Sequence, residues 1–436
     1  MNQAIGWENA VQRRRFLSLT TAGAATAVAM PTLSACGSDS SGSDGNVLKV
    51  VAADYGDSAE NTSQKYWDKL ARAFEAKDGG TKVDVKVYSW TEVDKKVAEM
   101  VKDGDSPDIA QIGAYADYAA AGKLYRADQM LSIPTQAAFI TSIAQAGEVS
   151  RVLYGLPFVS SARLLFYNKK LFDEAGISAA PKSWAELKDA ARKLKSAGVK
   201  MPYGLPLGPE ETQAETLMWM LGGGGGYTDT NGSYTIDSTA NIETFEWLRD
   251  ELVGEGLTGP RSPARTNRQD VFNAFTRGEV GMLNGHPTLM RQASGHDIEY
   301  ATAPLPGRDG KSSSTMGVAD WLMAFKANGR RKQIGDFLDF VYQDKNVLDF
   351  ADQYDLLPVT TSVSATMRRE KEHKKLWRFL DQMDRAQFYP ADKTSWPTIS
   401  KMVKEKIGST VTSGGDPASV LGEIQRTADA METANS

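Results

Sequence analysis

Few side chains in this chain are of types that do covalent or metal chemistry. Its 436 residues include one cysteine, Cys36, and three histidines, His286, His296 and His373. A single thiol forbids an intrachain disulfide and any multi-cysteine zinc or iron–sulfur site. Three scattered histidines do not make a His-rich metal centre, so no metal and no cofactor are expected. Cysteine–histidine catalysis lacks a nucleophile, because Cys36 precedes the folded body. A carboxylate pair could hydrolyse a glycosidic bond, but no spacing singles out a pair among the 55 acidic residues. Two glycine motifs also fail as phosphate cradles. Gly222–Gly226 runs into Tyr227, and "GRDGKSS" would need glycine where Leu305 stands. Both read as turns or surface loops. Aromatic side chains remain. They offer flat apolar area that polar neighbours can complete into a binding site for a small molecule.

Such residues must be positioned by regular elements. "NVLKVVAA" (Asn46–Ala53) is a β-branched run that reads as a buried strand. Trp67, Leu70, Ala71 and Phe74 recur at i, i+3, i+4, i+7, the stripe of an amphipathic helix. "KVDVKVYSW" (Lys82–Trp90) alternates as a strand, and Ser89 and Glu92 are spaced as a capping box for a helix after it. "PDIAQIG" (Pro107–Gly113) reads as a third strand. Alternating strands and helices predict a mostly parallel α/β sheet, whose ligands bind beyond the carboxyl ends of the strands. Those ends carry Tyr55 and Asp57, then Trp90, then Gly113–Tyr115. Trp90 reads equally well as a packing residue.

The first 46 residues read as an address and a tether. Arg13, Arg14, Phe16 and Leu17 resemble a twin-arginine export motif and precede a short, weakly apolar stretch. "LSAC" (Leu33–Cys36) resembles a lipobox, so Cys36 is the expected lipidation site; the alternative is an unmodified cysteine in a tail. "GSDSSGSDG" after it has nothing apolar to bury. The net charge of −5 argues against a nucleic-acid partner, which would need a basic face.

The segment Tyr154–Gly198 is the most specific. Gly155-Leu-Pro157, Phe166-Tyr-Asn168-Lys169, Leu171-Phe172, Ala175-Gly-Ile177 and Pro181-x-x-Trp184-x-x-Leu187 resemble bacterial extracellular solute-binding proteins of the maltose-binding type. Downstream, "LGGGGGYTDTNGSYTIDS", Phe275/Gly278/Met282/Gly285, Ala303–Gly307 and "SWPTISKMVKEKIG" continue the resemblance in family order. It implies a periplasmic-binding-protein-like fold (type II): two hinged lobes with the ligand between them. Lobe one would be about 47–159 with 305–342, and lobe two about 160–304 with 343–436. It further implies a monomeric, membrane-anchored lipoprotein that captures a mono- or oligosaccharide, performs no covalent chemistry and delivers to an ABC permease. Sugar phosphates or polyols are alternative ligands. An anchored carbohydrate-active enzyme and an adhesive surface protein are the rivals from other classes.

The resemblance also implies site residues. Tyr55 and Asp57 fall at a ligand loop, Ser160 and Ser161 at the hinge, and Asp320 and Trp321 where the returning chain meets the cleft. Trp396 matches a sugar-stacking position, with core packing at a helix start as its alternative. His286 stands where the family often has Pro-Trp. Glu210 and Glu211 replace aromatic residues, which implies a different stacking platform and a shorter, more polar or amino-bearing sugar.

Overall fold

A computed structural model describes residues 46–56, 59–113, 115–310 and 315–435. Asp57 and Cys36 lie outside them, as does the export segment.

The first sheet grows from the apolar run Val47–Ala53 (β1), whose Leu48, Val50, Val51, Ala52 and Ala53 are all buried. It pairs in parallel with Lys82–Tyr88 (β2) and with Ile109–Gln111 (β3). Helix Ser63–Asp78 covers it with the expected stripe, and Tyr66 joins that stripe. Leu156–Ala162 (β4) runs antiparallel to a later strand of this sheet. The next strand, Leu164–Asn168 (β5), opens the second sheet after a single intervening residue, Arg163.

The second sheet adds Met201–Gly204 (β6), Val280–Gly285 (β7) and Tyr300–Ala303 (β8), in the order β8-β5-β7-β6. Only β6 and β7 are parallel there. The sheet expected to be mostly parallel is thus mixed in one lobe and mostly antiparallel in the other. Returning chain segments insert as antiparallel partners. Behind this sheet Trp184, Trp219 and Trp247 pack together, Trp184 to Trp247 with ring centroids 4.8 Å apart. Ser183 caps helix Trp184–Ser196 by accepting from the Glu186 N–H at 3.2 Å.

Thr315–Ala324 (β9) returns to the first sheet between β3 and β4. Its start lies beside the end of β4, and the Thr315 hydroxyl donates to the Arg163 carbonyl at 2.8 Å. These two antiparallel strands carry the chain between lobes. A third passage follows Ala386–Gln387 (β10), which pairs with the start of β9.

Two lobe boundaries differ from expectation. Residues 305–308 stay with the second lobe: the Pro306 carbonyl accepts from the Trp184 indole and Arg308 N–H donates to Gly222. Helix Asp344–Tyr354 belongs with the first. Its Val347, Phe350, Ala351 and Tyr354 form a buried stripe, and Phe350 meets Tyr66 and Phe158 at 4.7 and 4.6 Å. Burying that stripe against the aromatic cluster outweighs continuity with the C-terminal helices. Helices Trp396–Lys406 and Pro417–Asn435, with the 3-10 turn Ile407–Val411 between them, join the second core. Among the described residues, no helix is long and apolar enough to cross a membrane.

Candidate ligand-binding cleft

Two adjoining cavities of about 400 and 320 Å³ lie where the lobes face each other, and Trp90 and Asp320 line both. Trp90 follows β2 and is 41 % exposed, unusual for so large an apolar side chain. Tyr55 supports it from β1, edge-on at 5.3 Å. The same tyrosine donates to Asp320 Oδ2 at 2.7 Å and accepts from Gln111 Nε2. Burial, reinforced by the Asp320 charge, holds the Tyr55 phenol protonated. Burial also raises the Asp320 carboxyl to about 6, against the pull of the Tyr55 bond and of Arg163.

Asp320 and Trp321 are consecutive, yet both line the larger cavity. The register of β9 against β4 shifts between them, from Asp320–Val159 to Trp321–Pro157, so Phe158 is left without a partner. Such a bulge re-aims side chains near a site. Gly317 admits the Phe388 ring against the strand; a Cβ there would stand 2.7 Å from it. From the second lobe come Gln213, Tyr389 and Trp396. Trp396 is stacked on Tyr389 with centroids 5.4 Å apart and braced by Tyr227 at 4.9 Å.

The smaller cavity is lined by charge. Arg163, 5 % exposed, donates to Ser161 Oγ at 3.0 Å and to Glu211 at 2.8 Å. Arg268 pairs with Glu210 at 2.7 Å and with Glu211 at 2.5 Å, and its guanidinium lies over Phe272. Two guanidinium groups thus meet two carboxylates. His286 bridges from Arg268, at 3.3 Å, to the Thr288 hydroxyl, at 2.8 Å. Burial and the two arginines hold its pKa well below the usual imidazole range, so it is neutral.

The family model for bacterial extracellular solute-binding proteins matches residues 58–348. The chain belongs to that family. As a solute-binding protein of an ABC transporter it acts outside the cytoplasm, binding a small molecule for delivery to a permease. A Brucella abortus protein described as a binding protein is 27% identical over 399 residues, 90% of this chain and 94% of that one. The sn-glycerol-3-phosphate-binding periplasmic protein of Brucella melitensis is 25% identical over 244 residues, 53% of this chain and 55% of its own. The solved structure of the cyclic α-maltosyl-1,6-maltose binding protein of Arthrobacter globiformis superposes with a TM-score of 0.74. It is 17% identical and covers 88% of this chain and 98% of its own. That likeness establishes the shared two-lobe fold.

Of the residues singled out from sequence, Trp90, Ser161, Glu210, Glu211, His286, Asp320, Trp321 and Trp396 line the cleft of this solute-binding protein. Tyr55 stands one layer behind. Tyr115 does not reach the cleft: it is fully buried, edge-on to Trp321 at 5.4 Å, with its hydroxyl bonded to the Ala146 carbonyl. Ser160 is also buried, and its hydroxyl donates to the Leu357 and Pro358 carbonyls. Alternation along β4 turns Ser161 to the cavity and Ser160 away. Glu210 and Glu211 are not free carboxylates, because arginines neutralise them. Arg163, Arg268, Gln213 and Tyr389 were not foreseen. Arg163 alone had a signal, a single charge inside "SSARLLFYN".

Proposed function

We propose that this solute-binding protein captures a carbohydrate, a mono- or oligosaccharide, between its lobes and hands it to an ABC permease. One observation carries the reading: two indoles from opposite lobes, Trp90 and Trp396, line a single cavity together with Asp320 and Gln213. Aromatic faces and hydrogen-bonding side chains from both walls suit a polyhydroxylated ring. The cavity volumes fall in the range of about 300–1,000 Å³ common to small-molecule sites. Lobe closure around the ligand then shifts the population toward the form a permease recognises.

Charge favours a neutral ligand over a sugar phosphate. Arg163 and Arg268 are both committed to Glu210 and Glu211, and His286 is neutral. A phosphate would enter a cleft whose cations are already paired. The proteins similar to this one are named for cyclic α-maltosyl-1,6-maltose in one case and sn-glycerol-3-phosphate in another, so both chemistries belong in the test. Thermal unfolding against neutral sugars, polyols and glycerol 3-phosphate decides: a ligand at about 100 times its Kd adds about 2.7 kcal/mol. A neutral sugar should stabilise and be recovered unchanged; conversion to product would favour the enzyme reading instead.

In this reading residues 1–35 direct export, Cys36 carries lipid and residues 36–46 tether a monomeric body to the outer face of the membrane. Both cavity walls come from one chain, so one copy suffices. Cys36→Ser should release the protein into the medium; continued membrane retention would refute the anchor.

A further inference from the structure

Away from the cleft, helix Asp344–Tyr354 faces the turn after helix Thr361–Arg369, where three candidate metal ligands, Glu370, Glu372 and His373, converge with Asp352 beside the histidine. His373 is 5 % exposed, and its Nε2 is buried without a hydrogen-bond partner among the described residues. That nitrogen stands 3.3 Å from Asp352 Oδ1, 3.6 Å from Glu370 Oε2 and 4.0 Å from Glu372 Oε1. The donor atoms of Glu370, Glu372 and His373 all lie within 4.8 Å of one another.

These separations have a geometric meaning. Ligand atoms at the corners of a tetrahedron with bonds of about 2.0–2.1 Å stand about 3.3–3.4 Å apart. Two of the three distances from Nε2 are already within a few tenths of that. Glu372 reaches it by a side-chain rotation, since its side chain is 75% exposed. The competing role, an imidazolium ion pair, leaves three carboxylates facing one cation. Two nearby lysines are paired elsewhere, Lys345 with Asp349 and Lys375 with Asp355.

We propose that Asp352, Glu370, Glu372 and His373 form a binding site for a divalent transition cation of the zinc class. One imidazole with three carboxylates suits zinc better than calcium or magnesium, which prefer all-oxygen shells. Bound there, the cation would tie helix Asp344–Tyr354 to Glu370–His373 within the first lobe, apart from the ligand cleft.

The test is calorimetric titration of the tag-free, EDTA-treated full chain with zinc sulfate, with magnesium and calcium chlorides as controls. The expected result is one zinc per chain and no heat from either control at equal concentration. Glu370→Gln with Glu372→Gln removes two partly exposed carboxylates without touching the core, and should weaken zinc at least tenfold. His296→Gln, at an exposed histidine elsewhere, should leave it unchanged. Absence of zinc binding, equal binding of magnesium, or zinc affinity indifferent to the double substitution would each overturn the assignment.

Discussion

Glu215 offers the sharpest electrostatic test of the second lobe. It lies on helix Thr212–Gly222 and is buried, with Trp219 Nε1 and Asn284 Nδ2 donating to its Oε1 at 2.8 and 2.9 Å. Burial lifts its pKa from 4.5 to about 8, and Glu211 adds to the rise; the two hydrogen bonds and Arg163 oppose it. The folded state therefore holds a proton that the unfolded chain releases above about 4.5. Its stabilisation is complete below that pH and is lost as the pH climbs through about 8. At about 1.4 kcal/mol per pH unit, the whole interval is worth about 5 kcal/mol as an upper figure. Glu215→Gln keeps an acceptor for Trp219 and Asn284 and has no proton to lose. Guanidinium unfolding of both proteins at a series of pH values cancels every other titrating group. Between pH 5 and pH 8 the wild type should lose about 4 kcal/mol more than the variant. Parallel stability curves would refute the buried, protonated carboxyl.

Trp90→Ala should weaken the sugar ligand by about tenfold, or about 1.4 kcal/mol, with little change in unfolding midpoint because the side chain is half exposed. Trp396→Ala should cost affinity and also stability, since its ring is buried against Tyr389 and Tyr227, and calorimetry with thermal melts separates the two effects. Asp320 titrates near 6, so affinity that needs its carboxylate should be about tenfold weaker at pH 5 than at pH 7.5. Asp320→Asn should flatten that profile; an unchanged slope would remove Asp320 from ligand contact. Arg163→Ala strips the buried partner from Glu211 and should destabilise by about 3 kcal/mol, read by guanidinium unfolding, with Arg163→Lys costing less.

Local patterns were legible where one face decides the structure. The stripe from Trp67 to Phe74 and the Ser183 cap appear as read. Ser89 did not become the expected cap: its hydroxyl bonds the Glu92 side chain, and the helix starts at Val93. Strand ends pointed to Trp90 and Tyr115 alike, but only tertiary packing reveals that Tyr115 lies beneath Trp321 while Trp90 projects outward. The Glu210, Glu211, Arg163 and Arg268 lattice joins residues far apart in sequence, so two glutamates read alone looked like free acceptors. Glu215 resembles any helical acid until Asn284 and Trp219 close over it.

Everything proposed for the cleft between the lobes rests on its taking a neutral carbohydrate. Isothermal titration of the purified protein with neutral sugars, beside glycerol 3-phosphate and free amino acids, tests it most directly. Saturable one-to-one binding of a neutral sugar is expected, weakened by both Trp90→Ala and Trp396→Ala. Binding confined to an anionic or amino-acid solute, or sugar binding indifferent to both indoles, would contradict it.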